Sequence, residues 1–293
     1  VGQLVLYTMR KKFAERNSMP EAIHNKLLDL FKKYLLVGGL PDAVNEFVAT
    51  KNITAIRKIQ DNIHHLYGVD AARYEEIHNR LKIQRIYGMV PSNLENKKKR
   101  IVAKNIENKQ GKRMSDYQEE FDYLISSGIT LEVKAISKPS FPLIENSGKN
   151  LLKLYMNDVG ILTNIFFGTN IKAVLDDIAS INLGSVYETV VAQELKAHGF
   201  NLYYYDNKKI GEVDYLIDDR HHLSVLPIEV KSGKDYQVHS ALDKFLKIKE
   251  YNIHEAFVLS NAQQVEVKDG ITYLPIYYIM CIEAEDSDKD IYL

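Results

Sequence analysis

A single cysteine, Cys281, among 293 residues excludes an intrachain disulfide and any zinc site built on cysteine, and fits a reducing cytoplasm. No apolar run approaches the roughly 18 residues of a membrane span, and no leader pattern opens the chain. Neither sign of charge dominates: Lys and Arg number 38, Asp and Glu 39, for a formal net charge of −1. So neutral a chain is no wholesale polyanion binder, and a nucleic-acid contact has to come from a local basic face. The phosphate-cradling pattern G-x-x-x-x-G-K-[ST] is missing. Gly-Lys occurs at Gly111-Lys112, Gly148-Lys149 and Gly233-Lys234, but Arg113, Asn150 and Asp235 follow where Ser or Thr is required. ATP binding is therefore not expected of this chain alone: titration with Mg-ATP should release no heat, and a micromolar affinity would overturn the expectation. There is no His-x-x-x-His pair either. His64-His65 and His221-His222 are adjacent residues, which do not converge on one ion.

With 45% hydrophobic and 26% charged residues, the chain has the composition of a soluble globular protein, long enough for two domains or one large one. Residues 20–87 read as helices. Ile23, Leu27, Leu30, Phe31 and Tyr34 share a face until Gly38-Gly39; Ile56, Ile59, Ile63 and Leu66 mark a second helix ended by Gly68; Tyr74, Ile77, Leu81 and Tyr87 mark a third closing at Gly88. Leu4, Leu6, Tyr7 and Phe13 form an amphipathic fragment without a clear partner.

Residues 89–146 look like a unit of their own. Pro91-Ser92 opens a short helix, and Ser115 to Gln118 spells a capping box ahead of Tyr117, Phe121, Leu124 and Ile125, with Gly128 as the stop. Two β-rich stretches follow, Ile129–Ile136 and Phe141–Ile144, and helices followed by such a hairpin predict a winged helix. The basic run Lys97, Lys98, Lys99 and Arg100, with Lys138 between the two stretches, offers DNA contacts; a solvated face is the other reading.

From about residue 147 onward, helix and strand alternate. A helix over 182–198 carries Leu183, Tyr187, Val190, Val191 and Leu195. Strands fall at 202–205, 213–217, 223–230, 256–259 and 271–274, with a helix over 238–249. The order predicts an α/β (α+β) fold: an N-terminal helical and winged-helix part, then a mixed sheet flanked by helices.

Within this last part, Asp214 and Glu229 face each other if the strands around them form a hairpin turning in the polar run Asp218–His222. Period-two geometry then places Glu229 and Lys231 on one face, with Asp214 nearby. Two carboxylates and a lysine suit a divalent-metal phosphodiesterase: the carboxylates hold Mg²⁺ or Mn²⁺, and the lysine positions the nucleophile or offsets charge. Glu188 adds a third carboxylate beside an apolar stripe, where an unpaired charge is costly. Spacing alone favours a salt-bridge cluster on a solvated hairpin, since Asp and Lys on neighbouring strands are common. Lys234 follows in a Gly loop suited to phosphate contact.

Glu188, Asp214 and Glu229-x-Lys231 resemble the PD-(D/E)XK nuclease signature, with Val213 where that family has an optional proline. More widely, the chain is similar to the C-terminal region of bacterial and archaeal AAA+-superfamily ATPases that carry a C-terminal domain of unknown function. The likeness rests on Tyr34 through Pro41, Tyr123 through Ile129, Lys153 through Leu162, Gly184-x-x-Tyr187-Glu188 and Pro227 through Lys234. It implies a helical ATPase lid or linker remnant over 1–88, a winged-helix-like domain over 89–146 and a restriction-endonuclease-like domain over 147–293. Glu188, Asp214 and Glu229 would be metal ligands, Lys231 would be catalytic, and Mg²⁺ or Mn²⁺ the cofactor. ATP would serve only a full-length form carrying the P-loop domain, of which this chain, beginning at Val1, is expected to be a fragment. DNA cleavage, and DNA or protein binding without cleavage, are the competing functions; the protein is expected in the cytoplasm, with no membrane partner.

Overall fold

The structure, a computed structural model, describes residues 2–70, 77–96, 99–146, 151–176, 178 and 181–284. Helices dominate its first half: α1 (Gly2–Ala14), α2 (Glu21–Val37), α3 (Pro41–Thr50), α4 (Ile53–Asp70), α5 (Ile77–Glu95), α6 (Ala103–Glu107) and α7 (Gln118–Ser126). Then come β1 (Thr130–Ile136), β2 (Leu152–Met156), α8 (Val159–Phe167), α9 (Lys172–Leu175) and α10 (Gly184–Ala197). The remainder is β3 (Tyr203–Asn207), β4 (Gly211–Asp219), β5 (Ser224–Val230), α11 (Ser240–Leu246), β6 (Ala256–Ser260), β7 (Glu266–Lys268) and β8 (Ile271–Pro275). The fold is mixed α/β, helical toward the N-terminus and sheet-rich toward the C-terminus. Two compact units are formed. The first takes Val1–Leu28, Ala135–Lys149 and Glu194–Leu293, the second Asp29–Lys134 and Asn150–Gln193.

In the first unit the strand order is β3-β4-β5-β6-β8-β7. β3, β4 and β5 run antiparallel as a meander; β5, β6 and β8 are parallel, and β7 closes antiparallel on β8. A parallel β5–β6 pair needs a crossover, and α11 supplies it. Tyr205, Val213, Val225, Leu242, Phe245 and Val258 build the core, with the Tyr205 and Phe245 rings edge to face at 4.8 Å. Part of the amphipathic N-terminal fragment finds its partner here, through Phe13, while Leu4 and Tyr7 stay exposed. Phe13 of α1 packs against Phe257 and Tyr278, at ring distances of 6.2 and 5.7 Å. The Arg16 guanidinium lies 5.1 Å from both the Phe13 and Phe257 rings while pairing with Glu255 at 2.8 Å.

In the second unit β1 and β2 pair antiparallel, Thr130 opposite Met156 and Lys134 opposite Leu152. The hairpin partner expected at Phe141–Ile144 is not a strand: the chain bends at residues 141–142 and coils as a 3-10 turn over Leu143–Asn146. Pro139 and Pro142 offer no N–H to a ladder, and the Leu143 N–H donates to Asp218 Oδ1 at 2.9 Å instead. The expected capping box shifts by two residues, because the Asp116 carboxylate rather than a Ser115–Gln118 pair reaches back, accepting the Arg113 N–H at 3.0 Å.

Two expected stops do not stop. Gly68 sits inside α4, and α5 runs through Gly88 with Pro91 in its interior. Proline inside a helix costs about 3 kcal/mol. Ile83, Ile86, Tyr87, Val90 and Leu94 recur on one face across the break, each at most 2% exposed. Burying a side chain of that size contributes roughly 1.5–3 kcal/mol, so the stripe outweighs the local signal. Gly38 does end α2, at φ +73.

Candidate functional site

β4 and β5 form the predicted hairpin, with Tyr215 opposite Ile228 and Asp219 opposite Ser224 around a turn at residues 220–223. Continued one position beyond Tyr215 and Ile228, that register sets Asp214 against Glu229. There the ladder ends, and a side chain takes over: Asp214 Oδ2 accepts the Val230 N–H at 2.9 Å. On its other edge β5 keeps pace with β6, Glu229 level with Val258 and Val230 with Leu259. The Lys231 N–H donates to the Leu259 carbonyl at 2.9 Å. Glu229 and Lys231, two apart and so on one face, meet as an ion pair of 2.8 Å, the carboxylate buried and the ammonium half-buried. Gly211 starts β4 at φ +114, and a Cβ there would lie 2.9 Å from that of Ala241. Only glycine lets β4 approach α11 this closely.

The arrangement brings Asp214, Glu229 and Lys231 to the carboxyl end of β5, where antiparallel pairing gives way to parallel. In open α/β sheets that edge is where ligands collect. Among the described residues no three His, Cys, Asp or Glu side chains group as a metal cage. Two carboxylates at one strand end nevertheless suit Mg²⁺, which keeps several waters and takes one or two carboxylates plus phosphate oxygens from a substrate.

Glu188 lies in the second unit, on α10, and its burial is compensated there. Lys99 pairs with Oε1, and the Tyr155 hydroxyl donates to Oε2 at 2.9 Å. Lys99, expected to contact phosphates, is thus engaged with a carboxylate. Lys97 and Lys98 lie outside the described residues; Arg100 is half-buried, and Lys138 and Lys234 are exposed, the one after β1 and the other between β5 and α11. A small cavity of about 160 Å³ opens at the turn end of the hairpin, lined in part by Asn201, Asp218, Asp219, Arg220, His221 and Glu283. Burial raises the Asp218 carboxyl above its ordinary range. The cavity holds none of the residues that the sequence nominates.

A second polar constellation lies in the second unit, around Asp158 and Arg57. Asp158 caps α8 by accepting the Ile161 N–H at 3.0 Å, and its other oxygen accepts the Gly39 N–H at 2.7 Å. Burial raises its carboxyl; backbone N–H groups oppose the shift. Arg57, 3% exposed, donates Nη1 to the carbonyls of Leu36 (2.9 Å) and Gly160 (3.1 Å) and Nε to that of Gly168 (2.9 Å). Burial lowers its guanidinium to about 10, against Asp61 and Asp158. Asp158 was legible as an N-cap before an apolar helix. A buried arginine inside a helical stripe carries no such signal.

Residues 28–172 match a family described as Domain of unknown function (DUF8612), and residues 183–279 one described as Domain of unknown function (DUF4143). The second is a domain that commonly occurs at the C-terminus of AAA-type ATPases. No curated protein and no solved structure matches the chain. No helix of the described residues is long and apolar enough to cross a membrane.

Proposed function

We propose that the open end of the β4–β5 hairpin is a metal-dependent phosphodiester-hydrolysing site acting on DNA, carried in the C-terminal part of an AAA+-type ATPase. The observation that carries this reading is the Val230 N–H bond to Asp214 next to the Glu229–Lys231 ion pair, where the ladder ends at the carboxyl end of β5. Asp214 and Glu229 would hold Mg²⁺ or Mn²⁺, which lowers the pKa of bound water and offsets the charge of the scissile phosphate. Asp214 is aimed by the Val230 N–H, so its second oxygen keeps a fixed direction. Glu229 holds the Lys231 ammonium at 2.8 Å, a position from which it can neutralise charge building on the phosphoryl oxygens.

The test is cleavage of plasmid DNA with Mg²⁺ or Mn²⁺. Asp214→Asn keeps an acceptor for the Val230 N–H and therefore the fold, yet removes a charged ligand. A rate loss of roughly 100-fold is expected, about 2.7 kcal/mol of barrier, together with loss of the Mn²⁺-dependent rise in melting temperature. Cleavage equal in parent and variant overturns the reading, as does a parent whose melting millimolar Mn²⁺ leaves unmoved. DNA bound by the parent but never cut would replace it with the binding module.

A further inference from the structure

Lys208 and Lys209, in the turn between β3 and β4, and Lys234, between β5 and α11, are exposed and form no ion pair among the described residues. Both loops lie at the Asp214 end of the hairpin. β4 leaves the first loop at Gly211, three residues before Asp214, and β5 runs through Glu229 and Lys231 into the second. The lysine turn is held in shape. Asn207 Oδ1 accepts the N–H groups of Lys209 and Ile210 at 2.8 and 3.3 Å, and Gly211 is packed against Ala241 at the start of α11. No carboxylate pairs with either ammonium group among the described residues.

The acidic groups of this edge lie elsewhere. Asp206 and Glu212 face each other across the β3–β4 ladder, half-buried, and Asp214 and Glu229 follow along β4 and β5; Asp235 is exposed beside Lys234. Asp206, Glu212, Asp214 and Glu229 thus line the strands, while Lys208, Lys209 and Lys234 stand on the loops around them, with Asp235 as a loop carboxylate beside Lys234. An acidic floor suits one phosphate delivered through a cation, and a basic rim suits its neighbours along a chain.

We infer that Lys208, Lys209 and Lys234 hold the nucleic-acid backbone phosphates that flank the one presented to Asp214 and Glu229. The inference rests on the phosphodiester-hydrolysing reading. It is tested by fluorescence anisotropy with a labelled DNA duplex and the corresponding single strand, in EDTA and across a salt series. At roughly 0.9 of log–log slope per phosphate contact on duplex and 0.7 on single strand, K208S/K209S should flatten the parent's salt dependence by about 1.8 on duplex or about 1.4 on single strand. K234S should flatten it by about half as much, and neither variant should shift the thermal melt. Unchanged slopes in both variants, or a parent that binds neither DNA, overturn the inference. If Asp214→Asn abolishes metal-dependent cleavage while the lysine slopes stay unchanged, only the rim falls. Lysine-dependent slopes without any cleavage keep the rim and remove the hydrolase.

Discussion

Gly160→Ala should destabilise the second unit by at least about 3 kcal/mol, toward the upper end of what forcing extra atoms into a packed site costs. A Cβ at residue 160 would lie 2.4 Å from Gln60 Nε2, 2.7 Å from the Val37 carbonyl and 2.8 Å from the Gly38 nitrogen. The first of these is a side chain that can move, but only by abandoning its bonds to the Leu36 and Val37 carbonyls at 3.0 and 2.9 Å. The other two are backbone. Gly38 itself cannot retreat easily, since it holds φ +73 against the Asp158 carboxylate. Urea unfolding should show the midpoint falling with the slope preserved; a midpoint within error of the parent would mean that α2 and α8 approach less closely than described.

Arg57→Ala should cost about 4 kcal/mol or more, the larger of the two effects. Two terms add. Removing a side chain this buried leaves a cavity, and the Gly168 carbonyl and the Gln60 Oε1 lose the donors that reach them at 2.9 Å, at about 1–3 kcal/mol for each group left unsatisfied. The Leu36 carbonyl suffers less, because Gln60 Nε2 also donates to it, whereas the single Thr163 hydroxyl proton near Gly160 has its shorter acceptor in the Leu35 carbonyl at 2.7 Å. Arg57→Met keeps most of the volume but leaves the same acceptors without a donor, so it should lose less than Arg57→Ala by the cavity term alone. Equal losses in the two variants would assign the whole effect to hydrogen bonding, and no loss in Arg57→Ala would empty the network of energetic weight.

Neither residue was singled out by pattern, whereas the hairpin was, and the contrast is physical. β4 and β5 are neighbours in sequence joined by a polar turn, so period-two alternation and the position of the turn leave one register, and Asp214 falls against Glu229. Arg57 gathers the carbonyls of Leu36, Gly160 and Gly168, from three distant stretches whose approach no local period encodes. The same limit explains α5. Gly88 as a stop and Pro91 as the start of a new helix are sound local signals, overridden by tertiary burial of Val90 and Leu94. It explains β1 as well, which passes over the nearer, proline-bearing stretch to pair with β2. Glu188 was legible as a buried charge in need of a partner; that Lys99 and Tyr155 supply it was not, because Lys99 reads locally as one member of a basic run.

The packing of α1 against Phe257 and Tyr278 also has a bearing on synthesis. Met9 and Phe13 leave the ribosome well before their partners do: about 240 residues separate Phe13 from Phe257, a wait of roughly 12 to 50 seconds at elongation rates of about 5–20 residues per second. Throughout that interval Met9 and Phe13 of this helix lack the aromatic partners that Phe13 packs against in the folded chain. The nascent chain therefore has a built-in window for chaperone capture or for association with a neighbouring nascent copy, and it closes when β6 and the turn carrying Tyr278 arrive.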